Sequence, residues 1–177
     1  MNIVIIASAL LCAALGAALF VVIQRMAAAG RNLPPTAEWI DELSVERYRP
    51  MMRLLDGADL EFLRTQPGFT PQVAAKLRIQ RCQIFRGYLK CLSSDFSRIC
   101  SAIRIFMLQS GHDRPDLAAA LVRHQILFAA GLLAVNCHLV FYRFGISGVD
   151  VTNLLKMFDA MRLELRILAP SAVPMGA

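Results

Sequence analysis

The chain has 177 residues and a mass of 19.6 kDa, is 56% hydrophobic and 18% charged, and carries a formal net charge of +6 with a mean hydropathy of +0.51. Ordinary domains are about 45 to 50% apolar and about 25% charged, so intrinsic disorder and a highly charged soluble chain are ruled out. Eight prolines, ten glycines and five cysteines do not make a collagenous, low-complexity or disulfide-framework protein.

Ile3–Ile23 reads without a charge. A helix of that length spans about 31 Å, matching a hydrocarbon core of about 30 Å, so the run is expected to be a transmembrane helix. No Lys or Arg precedes it, which disfavours a cleaved signal peptide. Arg25 and Arg31 follow it, and this bias places the N-terminus outside and the body in the cytoplasm. Small residues recur every fourth position as Ala9, Ala13 and Ala17 and as Ser8, Cys12 and Gly16, a spacing that would let anchors pair into a homo-oligomer. The remaining cysteines, Cys82, Cys91, Cys100 and Cys137, fall in helical context and need no partner in a reducing compartment.

The expected architecture is all-α: an anchor and flank over 1–31, a Pro-rich linker over 32–35, a helical bundle over 36–169 and a flexible tail over 170–177. Pro34-Pro35 separates anchor from body because prolines remove donors and push the preceding residue out of helix. Thr36 can cap a short helix holding Trp39, Ile40 and Leu43, and Ser44, Pro50 and Asp56-Gly57 divide the stretch to residue 66 into short helical pieces. Pro67-Gly68 closes it.

Thr70-Pro71 is a cap followed by a first-turn proline, and no further proline occurs before Ser110, so one helix of about 40 residues is expected. Its stripe is Phe85, Leu92, Ile99 and Phe106 with Leu89, Phe96 and Ile103, the seam of a bundle. Gly111–Pro115 makes a turn. A second long helix runs to Phe144 and Gly145, and Ser147 with Asp150 caps a last helix reaching Leu168, whose apolar face includes Leu154, Leu155, Phe158, Met161 and Leu165. Short turns make these three long helices an antiparallel bundle. The segment Gln125–Phe141 is apolar nearly all round. It is read as the central bundle helix, with a second membrane-embedded segment as the competing reading.

The charge is unevenly placed: residues 71–110 hold seven basic residues and Asp95 alone as acid, whereas the rest of the chain balances. Lys76, Arg86, Lys90, Arg98 and Arg104 project away from the apolar stripe or onto its flank. Arg78 and Arg81 fall on its side and need partners, for which Asp56, Asp59 and Glu61 are the candidates. The five outward charges form either a solvated face or a surface for an acidic protein partner or anionic lipid. Nucleic acid is disfavoured, because no exposed aromatics interleave with the charges and no recognition motif accompanies them.

No catalytic, nucleotide-binding or metal-binding motif is present, and no cofactor is expected. His124 and His138 are separated by about 21 Å along one helix, too far to share an ion. A pocket near His124, Asn136, His138 and Tyr142 is the enzyme or ligand-binding alternative to an interaction module. If 125–141 belongs to the bundle, residues 33–177 expressed alone stay soluble without detergent; partition of that fragment into membranes would instead support the embedded reading.

Overall fold

The structure is a computed structural model of the whole chain, and it describes residues 16–17, 20–21, 24, 43–109, 115–145 and 149–168. Almost all of the described residues are helical and none forms a strand. A 3-10 turn at Val45–Tyr48 leads into α1 (Arg49–Leu54) and α2 (Ala58–Arg64), followed by three long helices, α3 (Pro71–Gln109), α4 (Pro115–Arg143) and α5 (Thr152–Leu168). The three long helices pack pairwise around one core, with the 3-10 turn and α1 laid against α3 and α5.

Local chemistry accounts for the helix ends. Ser44 accepts a hydrogen bond from the Glu46 N–H at 3.2 Å, and Pro50 occupies the first turn of α1, where a missing donor costs nothing. Asp56 accepts from the Ala58 N–H at 3.1 Å to start α2, and Gly68, at φ +90°, turns the chain toward α3. Thr70 accepts from the Val73 N–H at 3.3 Å. Gly145, at φ +80°, ends α4, and its N–H donates to the Tyr142 carbonyl at 2.9 Å. The start of α5 differs from the expected capping box at Ser147. Asp150 does the capping, accepting from the Thr152 N–H at 2.8 Å, and hydrogen bonds from Thr152 hold its carboxyl below the ordinary range. Ser147 lies outside the described residues.

The stripe expected on α3 is its core face: Phe85, Leu92, Phe96, Ile99 and Ile103 are fully buried, and Phe106 packs at the edge of the cluster. Phe96 stacks on Phe128 of α4 with ring centroids 3.8 Å apart and planes within 3°. Tyr48 meets Phe158 of α5 edge-on at 5.6 Å, closing the core on the other side. Arg162 of α5 donates to the Leu43 carbonyl at 2.9 Å and pairs with Asp159 at 3.1 Å, fixing the point where the chain enters the bundle.

α4 is not the enclosed central helix that its composition suggests. Phe128, Ala129, Leu132, Val135 and Leu139 face the core, whereas Val122, Ile126, Leu127, Val140 and Phe141 are each close to half exposed. In a three-helix bundle every helix keeps an outward arc, and here that arc is apolar. α4 is the helix among the described residues long and apolar enough to cross a membrane, with a mean hydropathy of 1.7 and 28% of its apolar window buried. Most of the anchor expected at 3–23, the linker at 32–35 and the tail at 170–177 lie outside the described residues. Of the anchor, Gly16, Ala17, Phe20 and Val21 are described, and they are helical and exposed.

α4 and α5 approach closely at Gly131, where an added Cβ would stand 2.9 Å from Leu154 Cδ2 and 3.4 Å from its Cγ. Gly131→Leu is therefore expected to overpack this crossing and cost about 1 to 3 kcal/mol. A urea titration of the detergent-solubilised full chain, followed by circular dichroism, reads the loss as a lower midpoint; an unchanged midpoint would mean that the crossing is loose enough to absorb the side chain.

Candidate interaction surface

Two kinds of basic residue lie on α3, and geometry separates them. Arg81 reaches back to the short helices as its position suggests, donating to the Asp56 carbonyl at 3.2 Å and pairing with Asp59 at 2.8 Å. Arg78 does not join it. Its guanidinium lies against Gly145, 3.3 Å from where a Cβ would stand, at the C-terminal end of α4 where unsatisfied carbonyls favour a cation.

Of the five outward charges, Lys76, Arg86, Lys90 and Arg104 are exposed. Arg98 is a correction to that set. Its side chain is 29% exposed and lies 3.8 Å from Asp95, which in turn accepts a 2.6 Å hydrogen bond from the buried Tyr48 hydroxyl. Arg98 therefore belongs to the contact that holds the 3-10 turn on α3. Arg104 is exposed but anchored, donating to Gln125 Oε1 of α4 at 2.8 Å. No hydrogen bond or ion pair to another described residue engages Lys76, Arg86 or Lys90.

Arg86 and Arg104 follow the seam between α3 and α4. Burial pushes the Cys82 thiol up, and the charges of Arg86, one turn further along α3, and of Arg143 pull it back. Cys82 also contacts the Leu139 carbonyl of α4 at 3.9 Å, and Arg104 reaches Gln125 further along the same seam. The basic edge of α3 thus borders the outward face of α4, which projection of α3 alone does not reveal. The signal that points to it is on α4: the outward positions near its middle, Ala130, Leu133, Ala134 and Cys137, are all uncharged.

The structure does not bring His124, Asn136, His138 and Tyr142 together. Asn136 and His138 are exposed, and Asn136 donates to the Leu132 carbonyl of its own helix at 2.8 Å. Tyr142 is buried, with no hydrogen-bond partner for its hydroxyl among the described residues. His124 alone lines a cleft, about 200 Å³ in volume, with Leu117, Leu121, Met161 and Glu164. That is smaller than the roughly 300 to 1,000 Å³ of ordinary ligand pockets. His124 Nδ1 lies 2.8 Å from the Ala120 carbonyl, the hydrogen bond that holds a helical histidine in place. Among the described residues no group of histidine, cysteine and carboxylate side chains is placed to hold a metal ion.

In comparison with known proteins, the chain matches no family model, no curated protein and no solved structure.

The seam also sets a pH response. Burial pushes the Cys100 thiol up to about 11, against smaller opposing effects of Gln125 and Arg104. The folded thiol then holds its proton more tightly than the unfolded one. The stability it contributes is complete below about pH 9 and is lost as pH rises toward 11, by about 2 to 3 kcal/mol. Burial and the Asp95 carboxylate raise the Tyr48 hydroxyl as well, which extends the decline to higher pH. Urea midpoints measured from pH 8 to 11 should fall for the native chain and fall less for Cys100→Ala; parallel curves would remove Cys100 as a cause.

Proposed function

We propose that the protein is a single-pass membrane protein, anchored through 3–23 with its bundle on the cytoplasmic side, and that the bundle is an interaction module for an anionic partner. The observation that carries this reading is the placement of Lys76, Arg86 and Lys90. They stand exposed on α3 without partners among the described residues, and the one carboxylate of that helix, Asp95, is engaged by the Tyr48 hydroxyl. Surface charges of one sign raise the local concentration of oppositely charged partners and steer their approach.

The test is a crosslinked pull-down of the full-length chain from its native membranes, compared with Lys76→Glu, Arg86→Glu and Lys90→Glu combined. Arg98 is left intact, because reversing it would strike the Tyr48–Asp95 contact and confuse folding with binding. The triple variant should retain its helicity and lose association at least tenfold at physiological salt, where each exposed charge near an anionic surface contributes about 1 kcal/mol. Association that survives the reversal would take α3 out of the function.

A further inference from the structure

The outward face of α4 is a strip about 33 Å long from Val122 to Phe144. Phe144 is 71% exposed at one end, and Val122, Ile126, Leu127, Val140 and Phe141 are each close to half exposed along it. Near the start of the helix the face opens into a trough lined by Ala118, Ala119, Val122, Ile126 and Leu127, with Arg123 its single charged residue. On the α3 side the strip's charged neighbours are of one sign, with Arg123 on the face, Arg143 at its end, and Arg86 and Arg104 across the seam; Glu164 of α5 lies on the other side, in the cleft with His124. No acidic residue occurs between Asp116 and Asp150. A long apolar face with a basic border is the pattern of a helix that lies in a membrane interface.

We propose that this face of α4, with the basic edge of α3 beside it, seats in the anionic leaflet of a membrane. The inference rests on the membrane-anchored reading and names an anionic partner for a surface that shares Arg86 with the exposed charges of α3. Charge complementarity selects lipid over a second copy of the chain, because the face from Val122 to Phe144 and its α3 border carry Arg123, Arg143, Arg86 and Arg104 and no carboxylate. The nearest acids are Asp116 at the start of α4 and Glu164 in the cleft on the α5 side. The helix lies along the membrane and does not cross it. Its inner arc is committed to α3 through Phe96–Phe128 and Arg104–Gln125, and α3 carries charge over its whole length.

Two native cysteines make the test. Cys137 is exposed on the outward face of α4, whereas Cys91 is exposed one turn before Asp95, the partner of Tyr48 on α3. The full chain is reconstituted into neutral phosphatidylcholine vesicles and into vesicles with a third of phosphatidylglycerol. A membrane-impermeant maleimide then labels the bundles that face outward, with Cys91 as the internal reference. Cys137 labelling, relative to Cys91, should slow about tenfold or more in the anionic vesicles alone. The slowing should vanish for Ile126→Glu with Val140→Glu, two surface positions whose exchange leaves the circular dichroism spectrum unchanged. Equal Cys137 labelling in both vesicle types would overturn the proposal. So would concentration-dependent protection in detergent, which points to a second copy, or protection only on addition of an acidic protein. The anchor is read separately: release of the chain by alkaline carbonate would sink the tethered reading, while Cys137 protection would still report on α4 by itself.

Discussion

The stacked rings of Phe96 and Phe128 set the roll of α4 about its own axis, and the character of the whole surface depends on that roll. Both side chains are fully buried. A helix apolar on every side has no amphipathic preference to orient it, so nothing intrinsic to α4 decides which arc faces inward. Contacts with its neighbours decide. The large ring of Phe128 fills the space beside Phe96, Gly131 admits Leu154 of α5, and Leu139 comes within reach of Cys82. Once these three points are satisfied, Ile126, Val140 and Phe141 have no direction left but outward.

The polar contacts follow the same logic of placement along the seams. Arg104 bridges to Gln125 at the rim of the α3–α4 seam, and Arg78 settles on the carbonyl end of α4 at Gly145. On the far side, Tyr48 and Asp95 bind the 3-10 turn to α3, and Arg81 holds the start of α2. The acidic residues of the short helices are consumed in these internal contacts or remain on their own side. On the seam shared by α3 and α4, Arg86 and Arg104 are left without a carboxylate of the described residues beside them.

Much of this fold is legible in the sequence, because helix ends and core stripes have local causes. Thr70-Pro71, Gly145 and the heptad of Phe85, Leu92 and Ile99 announce themselves through capping chemistry and period. The departures share a different cause, which is dependence on distant neighbours. Carboxylates of the short helices are the nearest partners for Arg78 along the chain, yet it goes to a helix terminus 67 residues away, invisible from its own surroundings in the sequence. Helical projection points Arg98 outward, but Asp95 one turn earlier, already committed to Tyr48, draws it in. His124 and Tyr142 share an apolar helix whose facing has no sequence signal, so their closeness along the chain says nothing about a common pocket.

The entry of the chain at Leu43 gives the bundle a mechanical grain. The segment from Leu43 to Tyr48 runs against α5 and α3 and is fastened first by Arg162 to the Leu43 carbonyl and then by Tyr48 to Asp95. Any tension arriving through the residues before Leu43 therefore loads those two hydrogen bonds in sequence, ahead of the three-helix core. Detachment of the segment would withdraw the fully buried Tyr48 from beside Phe158. The contact that takes up load from the N-terminal side is thus also a lid over the core, so strain on the attachment and exposure of the interior are one event.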